Sequence, residues 1–349
     1  MKIHSIHVRN IGPLRNYTVS FEDDWTGKIR SNILLTGVNG SGKSSLLRVV
    51  ANLWDLAGKW LSTPGKRVSA NNPARSFFSE RQGSGAVLLK DLKGIPKLGI
   101  FVGEPAFLEE LMVLHPDFVW IGESYATPTG PGRPPRRLLH ENKEWLPHLA
   151  EDYRKLILNG GHNMANVIHL DGEERRWVKP RRGTGEVVAD NPQMKWLAKY
   201  QVGEDWQGQL EASLITQKTL DEDRYGKIIT DLNRFLAPKH IDPQPSAENL
   251  RLHVSGKGIS RHSLDDLSAG EHQVLIQLFL VSRWLNPGGI VMIDEPDLHL
   301  HPSLLNMFTS QLEVVVRERS GQLLLTSHNP QLWEKYSNRG ERIQIGGEL

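Results

Sequence analysis

Residues 37–44 read Gly-Val-Asn-Gly-Ser-Gly-Lys-Ser and fit the pattern G-x-x-x-x-G-K-[ST]. Their setting constrains the fold more than any other stretch. A compact apolar run, Asn32 to Leu35, precedes the loop, and helical apolar spacing through Leu46, Leu47, Val50 and Leu53 follows it. Strand, glycine-rich loop and helix in that order are what a phosphate cradle requires. Gly37, Gly40 and Gly42 let the backbone curl around an anion, and the N–H groups from Asn39 and Ser41 through Ser44 and Ser45 supply positive potential at a helix start. Lys43 is placed to reach β and γ phosphates, and Ser44 to ligate magnesium. A bare glycine-rich turn would not need the flanking strand and helix.

A second apolar run, Ile290 to Ile293, ends in Asp294-Glu295. Alone, it is a strand reaching a solvated loop. Paired with the phosphate loop, it is the form of a buried strand that delivers acids at the carboxyl edge of a parallel sheet, where ligands collect. Asp294 then holds magnesium, through water or Ser44, and Glu295 faces the attacking water as general base. Thr326-Ser327-His328-Asn329 follows the next apolar strand and brings His328 to the same edge. Leu267-Ser268-Ala269-Gly270-Glu271 has two readings. Ser268 and Glu271 form an S-x-x-E capping box, which suffices locally, and a Ser hydroxyl beside the Gly270 N–H at a positive helix terminus is also a second phosphate-binding device. On the second reading it serves the nucleotide of a partner subunit.

The rest of the 349-residue sequence sets the context. Its length predicts a principal domain with a sizeable insertion or second lobe. The absence of cysteine removes disulfides, thiolate metal sites and cysteine nucleophiles, and fits a reducing, cytoplasmic location. Met1 to Asn10 lacks the apolar block of a signal peptide, and the longest apolar stretch, Val274 to Val281, is too short to cross a bilayer, so no membrane partner is expected. A net charge of +2 neither demands nor excludes nucleic acid.

Alternation at Ile3, Ile6 and Val8, then Tyr17, Val19 and Phe21, around Gly12-Pro13 predicts an opening hairpin. Further strands are expected at Ala86 to Lys90, Leu98 to Val102, Asn166 to Leu170, Leu250 to Val254 and Gln322 to Thr326. Helices are expected at Trp206 to Thr219, Arg224 to Leu236, Gly270 to Trp284 and Ser303 to Val316, and Thr127 to Arg137 reads as a basic loop. The resulting division is 1–58 for the hairpin, phosphate loop and first helix, 59–165 for an insertion or β subdomain, 166–265 for the Val167–Arg176 segment and a helical subdomain, and 266–349 for the Ser268 helix, acid pair, the loop after it and His328.

With these motifs in order, the chain resembles ABC-type ATPase heads, closest to the RecF, OLD-nuclease and SMC-like branch. Ile6-His7-Val8-Arg9-Asn10-Ile11-Gly12 looks like that branch's first strand, and Glu295-Pro296-Asp297-Leu298-His299-Leu300-His301-Pro302 like its Walker B extension and D-loop. The resemblance implies an α/β P-loop NTPase fold: a two-lobed head with an amino-terminal antiparallel β subdomain, a parallel core sheet and a helical signature subdomain. It implies ATP and Mg2+ held between the Walker residues of one subunit and Ser268 of another in an ATP-dependent homodimer, with hydrolysis assisted by Glu295 and His328. No Q-loop glutamine is evident; Val167 to Arg176 occupies that place with acids and arginines. No stretch resembles a coiled-coil arm or a TOPRIM nuclease, so effector chemistry is expected from a separate protein, a nuclease or toxin in an anti-phage module. The rivals are a DNA-clamping repair ATPase and an ATP-holding regulatory scaffold with little turnover; a transporter motor fits the D-loop segment worst. Arg133, Arg136, Arg137, Lys179, Arg181 and Arg182 serve either as phosphate-backbone contacts or as solvated basic loops. His299 and His301 fit D-loop packing better than metal ligation.

Overall fold

The computed structural model describes residues 1–80, 82–125, 136–138, 144–159, 164–172, 177, 191–200, 210–298 and 300–346. The elements run β1 (Lys2–Ile11), β2 (Leu14–Ser20), β3 (Asn32–Thr36), α1 (Lys43–Ser62), α2 (Pro73–Ser79), β4 (Ser84–Leu92), β5 (Ile95–Gly103), α3 (Pro105–Leu114), β6 (Val119–Tyr125), β7 (Arg136–Leu138), α4 (Trp145–Asn159) and β8 (Val167–Leu170). They continue through β9 (Leu197–Lys199), α5 (Leu210–Leu220), α6 (Glu222–Leu236), β10 (Lys239–Ile241), β11 (His253–Gly256), β12 (Ile259–Ser263), α7 (Ala269–Trp284), β13 (Ile290–Ile293), α8 (Pro302–Glu318), β14 (Gln322–Thr326), α9 (Pro330–Ser337) and β15 (Arg342–Gln344).

One sheet is wholly parallel, in the order β15-β3-β14-β13-β8-β9. Its strands are apolar without alternation because both faces are covered. Ile33 and Leu35 of β3 enter one core, whereas Leu34 enters the other. On the first face lies α1, which also packs against β4, β5 and β6 of a second, mainly antiparallel sheet of order β2-β1-β4-β5-β6-β7. Held between two sheets, α1 buries residues on every side, including Trp54 and Trp60. Trp54 and Trp196 stack at 4.0 Å and 8°, and each indole N–H donates to the other's backbone carbonyl. The other face of the parallel sheet carries α6, α7 and α8. From Gly270 to Trp284, every residue of α7 except Glu271 is buried. Strands β10, β11 and β12 form a small antiparallel sheet beside it.

The structure extends and in places corrects the sequence expectations. Ile3 and Ile6 share a face despite odd spacing because a β-bulge falls between Ile3 and Ser5. The 84–125 strands of the predicted insertion pair with β1 in one sheet. The loop expected at 127–137 ends in β7, whose Arg136 and Arg137 pair with Tyr125 and Ser124. The strand expected at Leu250 to Val254 starts instead at His253. Leu250 has a φ of 54°, closing a turn onto Ser246, and the Leu252 N–H goes to the buried carboxylate of Glu211 at 2.7 Å rather than to a ladder. Of the helix expected from Trp206, the described part begins at Leu210.

The outer face of β1 turns inward the polar residues Ser5 and His7, against the end of α3. His7 is 3% exposed and hydrogen-bonded to Ser5 and Thr18 hydroxyls. Burial, reinforced by His115 and His4 nearby, pushes His7 down to about 4. His4 and His115 are lowered too, chiefly by burial. An unfolded His titrates near 6.5, so neutral His7 contributes stability above that pH, and the contribution is lost as pH falls toward 4. Urea unfolding between pH 7.5 and 4 is expected to show a loss of roughly 3 kcal/mol from this residue. His7→Gln, which cannot titrate, should decline less steeply; a parallel decline refutes the assignment.

Candidate functional site

The loop from Gly37 to Gly42 joins β3 to α1, and its glycines are dictated by neighbours. Gly42 caps α1 with a φ of 100°, and a Cβ there would lie 2.7 Å from Leu14 Cγ. At Gly37 a Cβ would fall 2.4 Å from the Ile345 carbonyl oxygen. The opening hairpin and the carboxyl-terminal strand thus press the loop into shape. Val38, Asn39 and Gly40 form its exposed crest. Ser45 lies against the β1–β2 turn, its hydroxyl 3.3 Å from where a Cβ of Gly12 would stand. The Ser41 hydroxyl is buried with no hydrogen-bond partner among the described residues. No acid of α1 itself occupies its first turn; the acids that face it come from the end of β13. Lys43 is buried, its ammonium donating to the carbonyls of Gly37 and Val38 at 3.1 Å each. Burial lowers its pKa, opposed by the charges of Glu295 and Asp294, which places all three groups in one field.

The acids arrive by register. Ile293 of β13 pairs with Leu325 of β14 and with Leu170 of β8, so Asp294, Thr326 and Asp171 emerge at one edge. Asp294 is 6% exposed, and its Oδ1 accepts from Ser44 Oγ at 3.0 Å and from the Thr326 hydroxyl. The Thr326 oxygen in turn accepts from the Glu295 N–H at 2.9 Å. Glu295 has a φ of 46°, uncommon for a residue with a side chain. Its carboxylate lies 3.6 Å from His328 Nε2, both side chains about one third exposed. Ser44 and Asp294 present adjacent hard oxygens, the donor type a magnesium ion takes beside phosphate and water. Among the described residues no group of three or more His, Cys, Asp or Glu is placed to hold a metal alone.

Lys43, Ser44, Asp294, Glu295 and His328 are therefore brought together. Ser268, Gly270 and Glu271 are arranged around a different centre. Both halves of the capping box are present: Ser268 Oγ accepts from the Glu271 N–H at 3.3 Å, and the Glu271 carboxylate accepts from the Ser268 N–H at 2.9 Å. Glu271 also pairs with Lys239 at 2.7 Å, and with Ser268 and Lys239 holds its carboxyl below the ordinary range against burial.

Sequence reasoning left three contributors without a role. Thr326 was visible only as a polar residue ending an apolar strand. Asp171 pairs with Arg48, one helical turn beyond Ser44, at 2.9 Å. Gly172 lies beside the Asp294 carbonyl, which a Cβ there would meet at an ordinary contact distance of 3.4 Å. His301 caps α8, accepting from the Ser303 N–H and bonding its hydroxyl at 2.8 Å. Arg133, Glu173 to Arg176, Lys179, Arg181, Arg182 and His299 lie outside the described residues. No helix among the described residues is long and apolar enough to cross a membrane.

Residues 191–334 match the family described as "AAA domain, putative AbiEii toxin, Type IV TA system", a span that contains α7, the acid pair and His328 and leaves the glycine loop outside. Protein ea59 of Escherichia phage lambda is 36% identical over 58 residues, 16% of this chain and about a tenth (11%) of that protein's length. Among solved structures, an SMC head domain from Thermotoga maritima aligns over 96% of this chain and 92% of its own at 12% identity, with a TM-score of 0.41. An Smc head domain with an extended coiled coil, bound to the C-terminal domain of ScpA derived from Pyrococcus furiosus, aligns over 95% and 91% at 13% identity, with a TM-score of 0.43. The strand–loop–helix unit at β3 and α1, with the acid pair on β13 at the same sheet edge, gives this chain an α/β P-loop nucleotide-binding core, and the AAA-domain match over 191–334 covers the part that carries the acid pair.

Proposed function

We propose that the chain hydrolyses ATP, that a second copy completes the site, and that this switch controls a separate effector. The carrying observation is the chain of contacts from Ser44 through Asp294 and Thr326 to Glu295 and His328, beside Lys43. Gly37 to Ser45 would wrap the phosphates, with Lys43 exchanging its carbonyl partners for β and γ oxygens. A magnesium ion, held through Ser44 and Asp294, supplies neutralisation of phosphate charge when bound. Glu295 takes the proton of the attacking water, and His328 at 3.6 Å orients that carboxylate. Thr326 positions both acids, because one hydroxyl donates to Asp294 and accepts from the Glu295 backbone.

Ser268, Gly270 and Glu271 would meet the γ phosphate of the nucleotide on the partner copy. The order of the motifs along the chain supports that assignment. The description matched over 191–334 names a putative toxin of a toxin–antitoxin system, which supports a toxic output of the switch; a separate nuclease or toxin partner acting against phage is our extension of it.

Glu295→Gln with ATP and magnesium is expected to accumulate as a dimer by light scattering and to release phosphate about 100-fold or more slowly. Lys43→Ala should lose nucleotide binding. A Glu295→Gln protein that stays monomeric and turns over normally overturns the reading. Thr326→Val keeps shape but removes the hydroxyl that accepts from the Glu295 N–H and donates to Asp294, so urea unfolding should show a loss of about 1–3 kcal/mol, with turnover reduced and ATP binding retained. Thr326→Ser should recover most of both. The effector arm is checked by phage plaque counts on cells expressing the chain with its neighbouring gene: protection indifferent to Lys43→Ala removes it.

A further inference from the structure

Two side chains join the phosphate loop to the turn that carries His328. Trp333 of α9 donates its indole N–H at 3.0 Å to the carbonyl of Ser327, the residue just before His328. The guanidinium of Arg342, on β15, lies over the same indole, 4.8 Å from the ring centroid, a cation–π contact. Its Nε donates at 3.0 Å to the hydroxyl of Thr36, the residue just before Gly37.

The two ends of that brace are held to different degrees. Thr36 is fully buried, lies level with Gln344 in the ladder, and accepts on its carbonyl from the Ile345 N–H at 2.7 Å. The start of the phosphate loop is therefore fixed with or without Arg342. His328 stands two residues past Thr326, where the pairing of β14 with β3 ends, and the backbone bond from the Ser327 N–H to the Leu35 carbonyl at 3.3 Å stops one residue short of it. With its side chain one third exposed, the direction of His328 depends on the two peptide planes that flank it. The Ser327 carbonyl and the His328 N–H share one rigid plane, and the Trp333 indole holds it. The His328 carbonyl and the Asn329 N–H share the next, and the Ser327 hydroxyl holds that one by accepting from the Asn329 N–H at 2.9 Å. The indole is itself anchored: its backbone N–H closes the first turn of α9 on the Asn329 carbonyl at 3.1 Å, and its neighbour Leu332 is buried in the second core.

We propose that Trp333 is a positioning residue for ATP hydrolysis: its indole, steadied by Arg342, fixes the peptide plane from which His328 reaches Glu295. The inference deepens the proposed role of His328 and rests on it. At 3.6 Å from the Glu295 carboxylate, His328 Nε2 stands just outside hydrogen-bond reach, so a small rotation of that plane decides whether the two engage. The loop, Lys43, Ser44 and Asp294 are held without the indole. The affected quantity is therefore turnover, and not the binding of ATP.

The test uses the full chain with ATP and magnesium, reading phosphate release and melting temperature. Trp333→Phe keeps an aromatic face beneath Arg342 and removes the N–H. It is expected to lower kcat about fivefold, with KM for ATP and the melting temperature close to wild type. In a His328→Ala background, which has already lost the group the indole positions, Trp333→Phe should change kcat by less than about twofold. Arg342→Met keeps the stem and loses the guanidinium; it should lower kcat by a similar factor, and its combination with Trp333→Phe should fall short of the product of the two losses. An unchanged kcat in Trp333→Phe, or a loss that multiplies with that of His328→Ala, overturns the inference and leaves the rest of the site standing. Wild-type turnover indifferent to His328→Ala removes the role of His328 itself, and this inference with it. If Trp333→Phe does not fold, Arg342→Met decides by the same cycle: a loss absent from the His328→Ala background supports the brace, and a multiplying loss overturns it.

Discussion

The hydroxyl of Thr326 joins the two acids by donating to the Asp294 carboxylate and accepting from the Glu295 N–H, and it can do so only because β13 and β14 lie side by side in fixed parallel register. The same register brings Leu35 level with Thr326, so the phosphate loop starts one residue beyond β3 at the same height. It also brings Leu170 level with Ile293, which delivers Asp171. Successive side chains on a strand alternate between faces, so a slip of one residue in any pairing would send core residues to the wrong side. The two apolar cores above and below the sheet forbid that slip. Site geometry is thus a consequence of packing: the residues that ionise sit where the strands stop, and the strands are held by residues that cannot.

The parts of this fold legible in the sequence are those whose signals are local. The run Ile290 to Ile293 is a strand because four apolar residues between a glycine pair and two acids have nowhere else to go. The helix after Gly42 and the capping box at Ser268 follow equally from adjacent residues. What stayed hidden depends on partners far along the chain. The strand at Ala86 is readable, but its pairing with β1 some 80 residues away is not. Leu250 and Leu252 look like strand residues, yet a buried Glu211 forty residues earlier takes the Leu252 N–H. Thr326 and Asp171 carry no motif; each matters only for the strand beside it. Trp177 is one tryptophan of ten, and nothing in its neighbours announces that His272 lies beneath it.

The two centres differ in how they are held. Around Asp294, the contacts cross between elements: α1 to β13, β14 to β13, α1 to the residue after β8. Around Ser268 they are internal, with Ser268 and Glu271 satisfying each other and Lys239 completing the carboxylate's partners. Ser268 and Glu271 satisfy each other at that helix start, so the case for a second copy rests on motif order.

That difference bears on motion. Helix α7 is buried along its length in the second core, packed with α6 and α8, whereas α1 is buried in the first, between the two sheets. Close-packed interiors resist bending, so each helix moves with its own core. The parallel sheet stands between the two cores, and its carboxyl edge is where both meet the acids. At that edge Ser44 ties α1 to Asp294 and Arg48 ties it to Asp171, whereas α7 is held by its own core and by the capping box at its start.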